Sequence, residues 1–256
     1  MEIAIDIGNS NVVIGFYDGK DWAHLMRFKT KKDGEAKYFY DLRIRESLLD
    51  IKLVIDSIEG IYLSSVVPDL TIDLSEVIAS IFDKEVSIIG PQSYRKLNLS
   101  IDNPLEIGND LVANAISAVS RYGKSCIIVD FGTALTFTTV TSSYEILGVA
   151  IAPGLKTAMS ALYGDTAQLP EVNLELPKTV IGKNTTHAIQ SGVLWGYVGL
   201  VKEMILRIQE EYGKELTPIA TGGLSSILHP IKDLFYDVDK NLTLDGILII
   251  GRDMNV

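Results

Sequence analysis

The chain opens with apolar runs broken by short polar tips. Residues 2–7 (EIAIDI) and 12–17 (VVIGFY) are rich in Ile and Val and flank Gly8-Asn9-Ser10-Asn11, which predicts a β-hairpin. Residues 39–56 carry a helical apolar rhythm. GIYLSSVVPDL predicts a strand that stops at Pro68, 69–83 a helix, and EVSIIG another strand. Residues 107–123 (IGNDLVANAISAVSRYG) predict a short turn and then a helix with an apolar and small-residue face. SCIIVDFGTALTFTTVTSS predicts a second hairpin. Helical segments follow near 155–163 and 184–210, then PIATGGLSSIL as strand, glycine turn and helix start. The final apolar stretch, LTLDGILIIGRDM, fits either a helix or a strand.

The two hairpins match each other. Ile-Ala-Ile-Asp6-Ile-Gly8 and Ile-Ile-Val-Asp130-Phe-Gly132 both run apolar stretch, Asp, apolar residue, Gly, about half the chain apart. The match is short, but it suggests two similar halves that each begin with a strand–turn–strand unit. With no Pro/Gly/Ser-rich linker, the boundary falls near 110–125, giving halves 1–115 and 116–256.

Composition narrows the function classes. With 256 residues and 47% hydrophobic content, core material is ample for one large domain or two small ones. A net charge of −10 argues against a nucleic-acid partner, which needs clustered Lys and Arg. The single cysteine, Cys126 in CIIVD, reads as a core residue in a reducing compartment. No segment approaches the ~18 continuous apolar residues of a membrane span, and no basic, then apolar, then small-residue leader is evident. The expectation is a cytoplasmic protein with no membrane and no nucleic-acid partner.

A tight turn between two strands exposes backbone N–H groups, and Gly8 allows a bulky ligand to come close. Asn9, Ser10 and Asn11 add side-chain donors, and Asp6 is held rigidly beside them at the end of a strand. A carboxylate beside a phosphate makes sense when hydrated Mg²⁺ lies between them. One such hairpin is also an ordinary turn with Asp and Gly at its tip. The second loop, Asp130-Phe-Gly132-Thr133, and a third, Thr221-Gly222-Gly223 between a strand and a helix, change the balance. Together the three loops point to a nucleotide.

The chain resembles the type III pantothenate kinases, within the superfamily of actin, sugar kinases and heat-shock chaperones. The blocks that carry the resemblance span almost the whole sequence: DIGNSNVVIG at 6–15, SSVVP at 64–68, NP…GND…ANA at 103–115, VDFGTALTF at 129–137, IAPGL…ALY…TAQLP at 151–170, GKNT…QSG at 182–192 and TGGL at 221–224. The resemblance implies an α/β fold of two similar actin-like (ribonuclease H-like) halves. Each half has a mixed β-sheet flanked by helices, and the nucleotide cleft lies between them. It implies ATP-dependent phosphorylation of the primary hydroxyl of pantothenate, the first step of coenzyme A synthesis, with Mg²⁺ and a monovalent cation (K⁺ or NH₄⁺). Asp110 matches the catalytic base, although its place before LVANAIS also suits a plain helix N-cap. Asp6 would act on the Mg²⁺ shell, and Gly8 to Asn11 would line the phosphates. Asp130 would help hold a cation, with Gly132 and Thr133 on the phosphate side and Thr221, Gly222 and Gly223 near the nucleotide. The resemblance also implies a homodimer in which Thr185 reaches the acceptor of the other subunit; alone, Thr185 reads as a helix-start residue.

The departures from that pattern concern the acceptor pocket. The family's Gly-x-Asp-Arg is here Gly108-Asn109-Asp110-Leu111, and its upstream tyrosine falls on Ile101. An arginine there would pair with the acceptor's carboxylate, and leucine cannot. Arg121 and Lys156 are candidate replacements. Gly148-Val149 stands where the family has paired glycines. Three function classes therefore stay open: pantothenate kinase, a related kinase on another alcohol, and a non-catalytic nucleotide-binding regulator. A DNA-binding repressor would need a helix-turn-helix, for which no segment is evident. His24, His187 and His229 show no metal-ligand spacing, and KTKKDGEAK at 29–37 reads as a solvated loop whose Lys29-Thr30 weakly matches a family position near the nucleotide. VLWGYVGLVKEMILRI reads as helix core or dimer face, with Gly192, Gly196 and Gly199 permitting close packing.

Overall fold

Both hairpins form. In a computed structural model of the chain, residues 1–51, 53, 57–94, 98–99, 103, 106–164, 169–223, 225 and 229–254 are described. The elements run β1 (Glu2–Ile7), β2 (Asn11–Tyr17), β3 (Trp22–Lys29), α1 (Ala36–Leu49), β4 (Gly60–Ser65), α2 (Pro68–Phe82), β5 (Ser87–Ile88), β6 (Asn98–Leu99) and α3 (Asn109–Tyr122). Then come β7 (Cys126–Phe131), β8 (Ala134–Val140), β9 (Glu145–Pro153), α4 (Leu155–Gly164), α5 (Thr185–Tyr212), β10 (Thr217–Thr221), β11 (Asp237–Val238) and α6 (Leu242–Met254). The helix start expected after Thr221-Gly222-Gly223 and part of the helix expected over 39–56 lie outside the described residues, as does Ile101.

Two sheets form, ordered β3-β2-β1-β4-β5 and β11-β10-β7-β8-β9-β6. In each, an antiparallel three-strand meander continues into two parallel strands: β1 and β4, then β5, in the first; β7 and β10, then β11, in the second. The short sequence repeat is thus matched by a repeat of strand order and sense, and only β6, parallel to β9, is extra. This is the actin-like α/β architecture that the resemblance implies.

The chain divides into two compact units. One holds Met1–Leu97, Asp102–Ser117 and Leu242–Val256, and the other Asn98–Ile101 and Ala118–Asn241. This differs from two contiguous stretches meeting at 115/116 because α6 belongs with the first unit. Small residues explain why. A Cβ on Gly246 would strike the Ala113 carbonyl of α3, and one on Gly251 would strike the Tyr62 ring of β4, so α6 lies close on both. Arg252 Nε donates to Glu2 Oε1 at 2.9 Å, and Trp22 Nε1 donates to Asp245 at 2.8 Å.

Strand alternation sorts each aspartate onto one face. Ile3, Ile5 and Ile7 of β1 join Leu63 and the buried faces of α1 (Tyr40, Ile44) and α2 (Leu70, Leu74, Ile78) in one core. Asp6 is on the opposite face. In the second unit Ile127, Val129 and Phe131 of β7 pack with Leu194, Val198 and Val201 of α5, which again turns Asp130 to the other side. Cys126 is buried, and burial pushes its thiol up to about 11, as suits a core residue. No helix among the described residues is long and apolar enough to cross a membrane.

Candidate active site

The first unit gathers its polar loops at the carboxyl ends of the parallel strands β1 and β4, where open α/β sheets bind ligands. Asp6 pairs in register with Ser64, and Ile7 with Ser65. The Gly8–Asn11 turn is closed by Gly8 N–H donating to the Asn11 carbonyl at 2.9 Å. The start of α3 is fastened to the same strand ends through Asn109. Its Nδ2 donates to the Ser65 carbonyl at 3.1 Å and the Ile89 carbonyl at 3.2 Å, and its Oδ1 accepts from the Tyr94 hydroxyl. Sequence reasoning missed Tyr94, which carries no motif.

Asp110 follows directly. Gly108 caps α3, its carbonyl accepting from Leu111 N–H at 3.1 Å and Val112 N–H at 3.2 Å. The Asp110 carboxylate folds back over Gly108, and a Cβ on that glycine would collide with Oδ1. This gives the Gly-x-Asp spacing a steric reason. Burial holds the Asp110 carboxyl above the ordinary carboxylate range, against a smaller opposing pull from Leu111 N–H at 2.9 Å. A carboxylate raised in this way is a stronger base. Burial and the nearby Asp110 charge push the Tyr94 hydroxyl well above its usual value. Leu111 is buried at 8% exposure and contributes packing.

The second unit repeats the turn. Gly132 N–H donates to the Ala134 carbonyl at 3.1 Å, and Asp130 pairs in register with Thr221 of β10 and Thr136 of β8. Gly154, after β9, approaches so closely that a Cβ would strike the Gly132 and Thr133 carbonyl oxygens, and its N–H donates to Thr133 at 3.0 Å. Gly222 has φ +89°, and a Cβ there would collide with Asp130 Oδ1 and lie 2.7 Å from the Phe131 backbone. Glycine is required at both positions for contact with the Asp130 loop. Gly223 and Gly148 have open space beside them. Arg121 is committed to Asp239 at 2.5 Å, whereas Lys156 stays exposed in the first turn of α4.

The donor set fits Mg²⁺ held partly by phosphate and water. Among the described residues no cluster of three or more His, Cys, Asp or Glu could cage a metal. Each aspartate loop offers a lone carboxylate, the usual protein share for Mg²⁺ on a nucleotide. The two buried side-chain oxygens without a partner among the described residues, Ser64 Oγ and Thr136 Oγ1, are the register neighbours of Asp6 and Asp130. Unpaired buried hydroxyls beside each carboxylate suit a site completed by ordered water.

Thr185 is exposed in the first turn of α5, which Asn184 caps by accepting from His187 N–H at 2.8 Å. Gly192, Gly196 and Gly199 share its helical face, all exposed, and apart from the adjoining helix backbone and chain neighbours no described atom lies within 4 Å of where their Cβ atoms would be. The close packing these glycines permit is therefore not used by their own described neighbours.

Known proteins match the chain in sequence and in fold. The family model for type III pantothenate kinase matches residues 2–207. A type III pantothenate kinase of Brevibacillus brevis is 37% identical over 250 residues, covering 98% of each chain. Among solved structures, a conserved protein of Campylobacter jejuni described as a Baf family transcriptional activator aligns over 99% of this chain and 100% of its own, with TM-score 0.61 and 20% identity. An N-acetylglucosamine kinase of Porphyromonas gingivalis, described as putative, aligns over 100% of both chains with TM-score 0.51 and 13% identity. These two share the fold; the full-length sequence match goes further, and the chain belongs to the type III pantothenate kinase family.

Proposed function

We propose that this protein transfers the γ-phosphoryl group of ATP to the primary hydroxyl of pantothenate. The observation that carries the reading is Asp110. It is a buried-side carboxylate of raised basicity, fixed at a helix start that Asn109 fastens to the strand ends beside the Asp6 loop. Asp110 accepts the hydroxyl proton and orients the oxygen, while Asn9, Ser10, Asn11 and Thr133 bind phosphate oxygens on turns that the Gly8 and Gly132 N–H groups close and whose glycines let the phosphates approach. Asp6 and Asp130 hold Mg²⁺ and a monovalent cation, which supply charge neutralisation; Thr221, Gly222 and Gly223 lie on the nucleotide side. Catalysis of this kind is chiefly positioning and electrostatic stabilisation. The protein works as a cytoplasmic homodimer, with Thr185 reaching the partner's acceptor. The flat glycine face that Thr185 shares on α5 supports this.

Burial of Leu111 favours one alternative, a smaller or uncharged alcohol acceptor, because no arginine follows the base. The test is ADP release with ATP, Mg²⁺ and K⁺, with and without pantothenate, beside Asp110→Asn. Pantothenate-dependent release that disappears in the variant supports the proposal. Strong ATP binding without pantothenate stimulation shifts it to another alcohol.

A further inference from the structure

The segment Lys29–Lys32 looks like a solvated charged loop in sequence, yet its backbone is fastened at both sides. Thr30 N–H donates to the Ser10 carbonyl at 3.0 Å, and Thr30 Oγ1 donates to the Gly8 carbonyl at 2.7 Å. The fully buried Tyr40 of α1 anchors the other side. Its hydroxyl accepts from Lys31 N–H at 3.0 Å and donates to the Lys29 carbonyl at 3.3 Å. The segment is thus fixed along the Gly8–Asn11 turn.

Two consecutive lysines leave this anchored backbone with different fates. Lys31 is neutralised by Glu35 at 3.1 Å and Asp33 at 3.6 Å. Lys32 turns to the loop, where Nζ donates to Asn9 Oδ1 at 2.9 Å, and among the described residues no carboxylate pairs with it. An ammonium has three donors, and a neutral amide takes only one. The turn itself contains no cation, and the charged residue nearest to it along the chain is the acid Asp6. The corresponding crossing in the second unit is made by Gly154, whose N–H donates to the Thr133 carbonyl at 3.0 Å.

We infer that Lys32 is the side-chain cation of the phosphate site, held by Asn9 with its remaining donors directed to the nucleotide's polyphosphate oxygens. This rests on the nucleotide reading of the Gly8–Asn11 loop. The role is binding and positioning of phosphate rather than proton transfer.

The experiment is calorimetric titration of the full-length protein with ATP, ADP and adenosine in the presence of Mg²⁺, comparing wild type with Lys32→Gln, Lys32→Arg and Lys31→Gln, the last removing the lysine that Glu35 and Asp33 already neutralise. Lys32→Gln is expected to weaken ATP and ADP about tenfold, the low end for an exposed charge-assisted hydrogen bond, and to leave adenosine unchanged. Lys32→Arg should keep most of the affinity, and Lys31→Gln should match wild type. Unchanged ATP affinity in Lys32→Gln, equal weakening of ATP and adenosine, or a loss seen in Lys31→Gln instead would each overturn the inference while leaving nucleotide binding intact. Failure of the wild type to bind ATP would overturn the nucleotide reading itself.

Discussion

Gly108 is where a single methyl group should separate activity from stability. The backbone there does not have positive φ, so alanine is sterically acceptable to the chain itself. The obstacle is the Asp110 carboxylate, whose Oδ1 occupies the space a Cβ would take. Restoring an ordinary carbon–oxygen contact requires moving that oxygen by roughly 1 Å. Driving the side chain off its rotamer costs about 0.5–1.5 kcal/mol. Stiffening the unfolded chain returns about 0.4–1 kcal/mol. Net stability should therefore change by less than about 1 kcal/mol, or ~2–4 °C in Tm for a chain of this size. Catalysis should suffer far more, because a misplacement of ~1 Å in the reacting geometry costs about 100-fold in rate. The assay is kcat from ADP release at saturating ATP and acceptor, with thermal unfolding of the same preparations. A kcat within about threefold of wild type, less than 1 kcal/mol in barrier, would refute the steric coupling of Gly108 to Asp110. So would a large drop in Tm, since the damage would then be to the fold.

Three more outcomes follow from the same geometry. Asp110→Asn should abolish turnover yet raise Tm at neutral pH: a carboxylate whose folded pKa lies above its unfolded value destabilises the fold once ionised, so the gain should shrink as pH falls through the ordinary carboxylate range; a gain that grew on acidification would contradict this. For the same reason the acid limb of the kcat profile should lie above the ordinary Asp value of ~3.9. Gly154→Ala forces a methyl into the Gly132–Thr133 backbone, where no flexible side chain can yield, and should cost about 1–3 kcal/mol in urea unfolding; wild-type stability would mean the loop relaxes freely. Asn109→Ala leaves the Tyr94 hydroxyl and two carbonyls without their partner and should destabilise by about 1–3 kcal/mol, with kcat falling as α3 loses its fastening; an unchanged kcat would show that Asp110 needs no help from Asn109.

Sequence alone determined the features that depend on local chemistry. The apolar period-2 runs around Asp6 and Asp130 gave two hairpins in their true positions, because strand faces and turn residues are properties of a few neighbouring residues. Pro68 marked the start of α2, where its missing N–H costs nothing. The motif blocks named the family and nominated the base. Tertiary structure decided what depends on distant partners. β3 and β9 escape the pattern; β3 is an edge strand whose burial alternates, but Leu25 takes an exposed position and His24 a half-buried one, so its residue types do not follow that alternation. The last helix returns to the first unit because Gly246 and Gly251 fit Ala113 and Tyr62, a complementarity no local window contains. Tyr94 and Lys32 gain their meaning only from long-range hydrogen bonds to Asn109 and Asn9. A motif records which groups a site needs, whereas the groups that hold them in place can come from any segment the fold brings near.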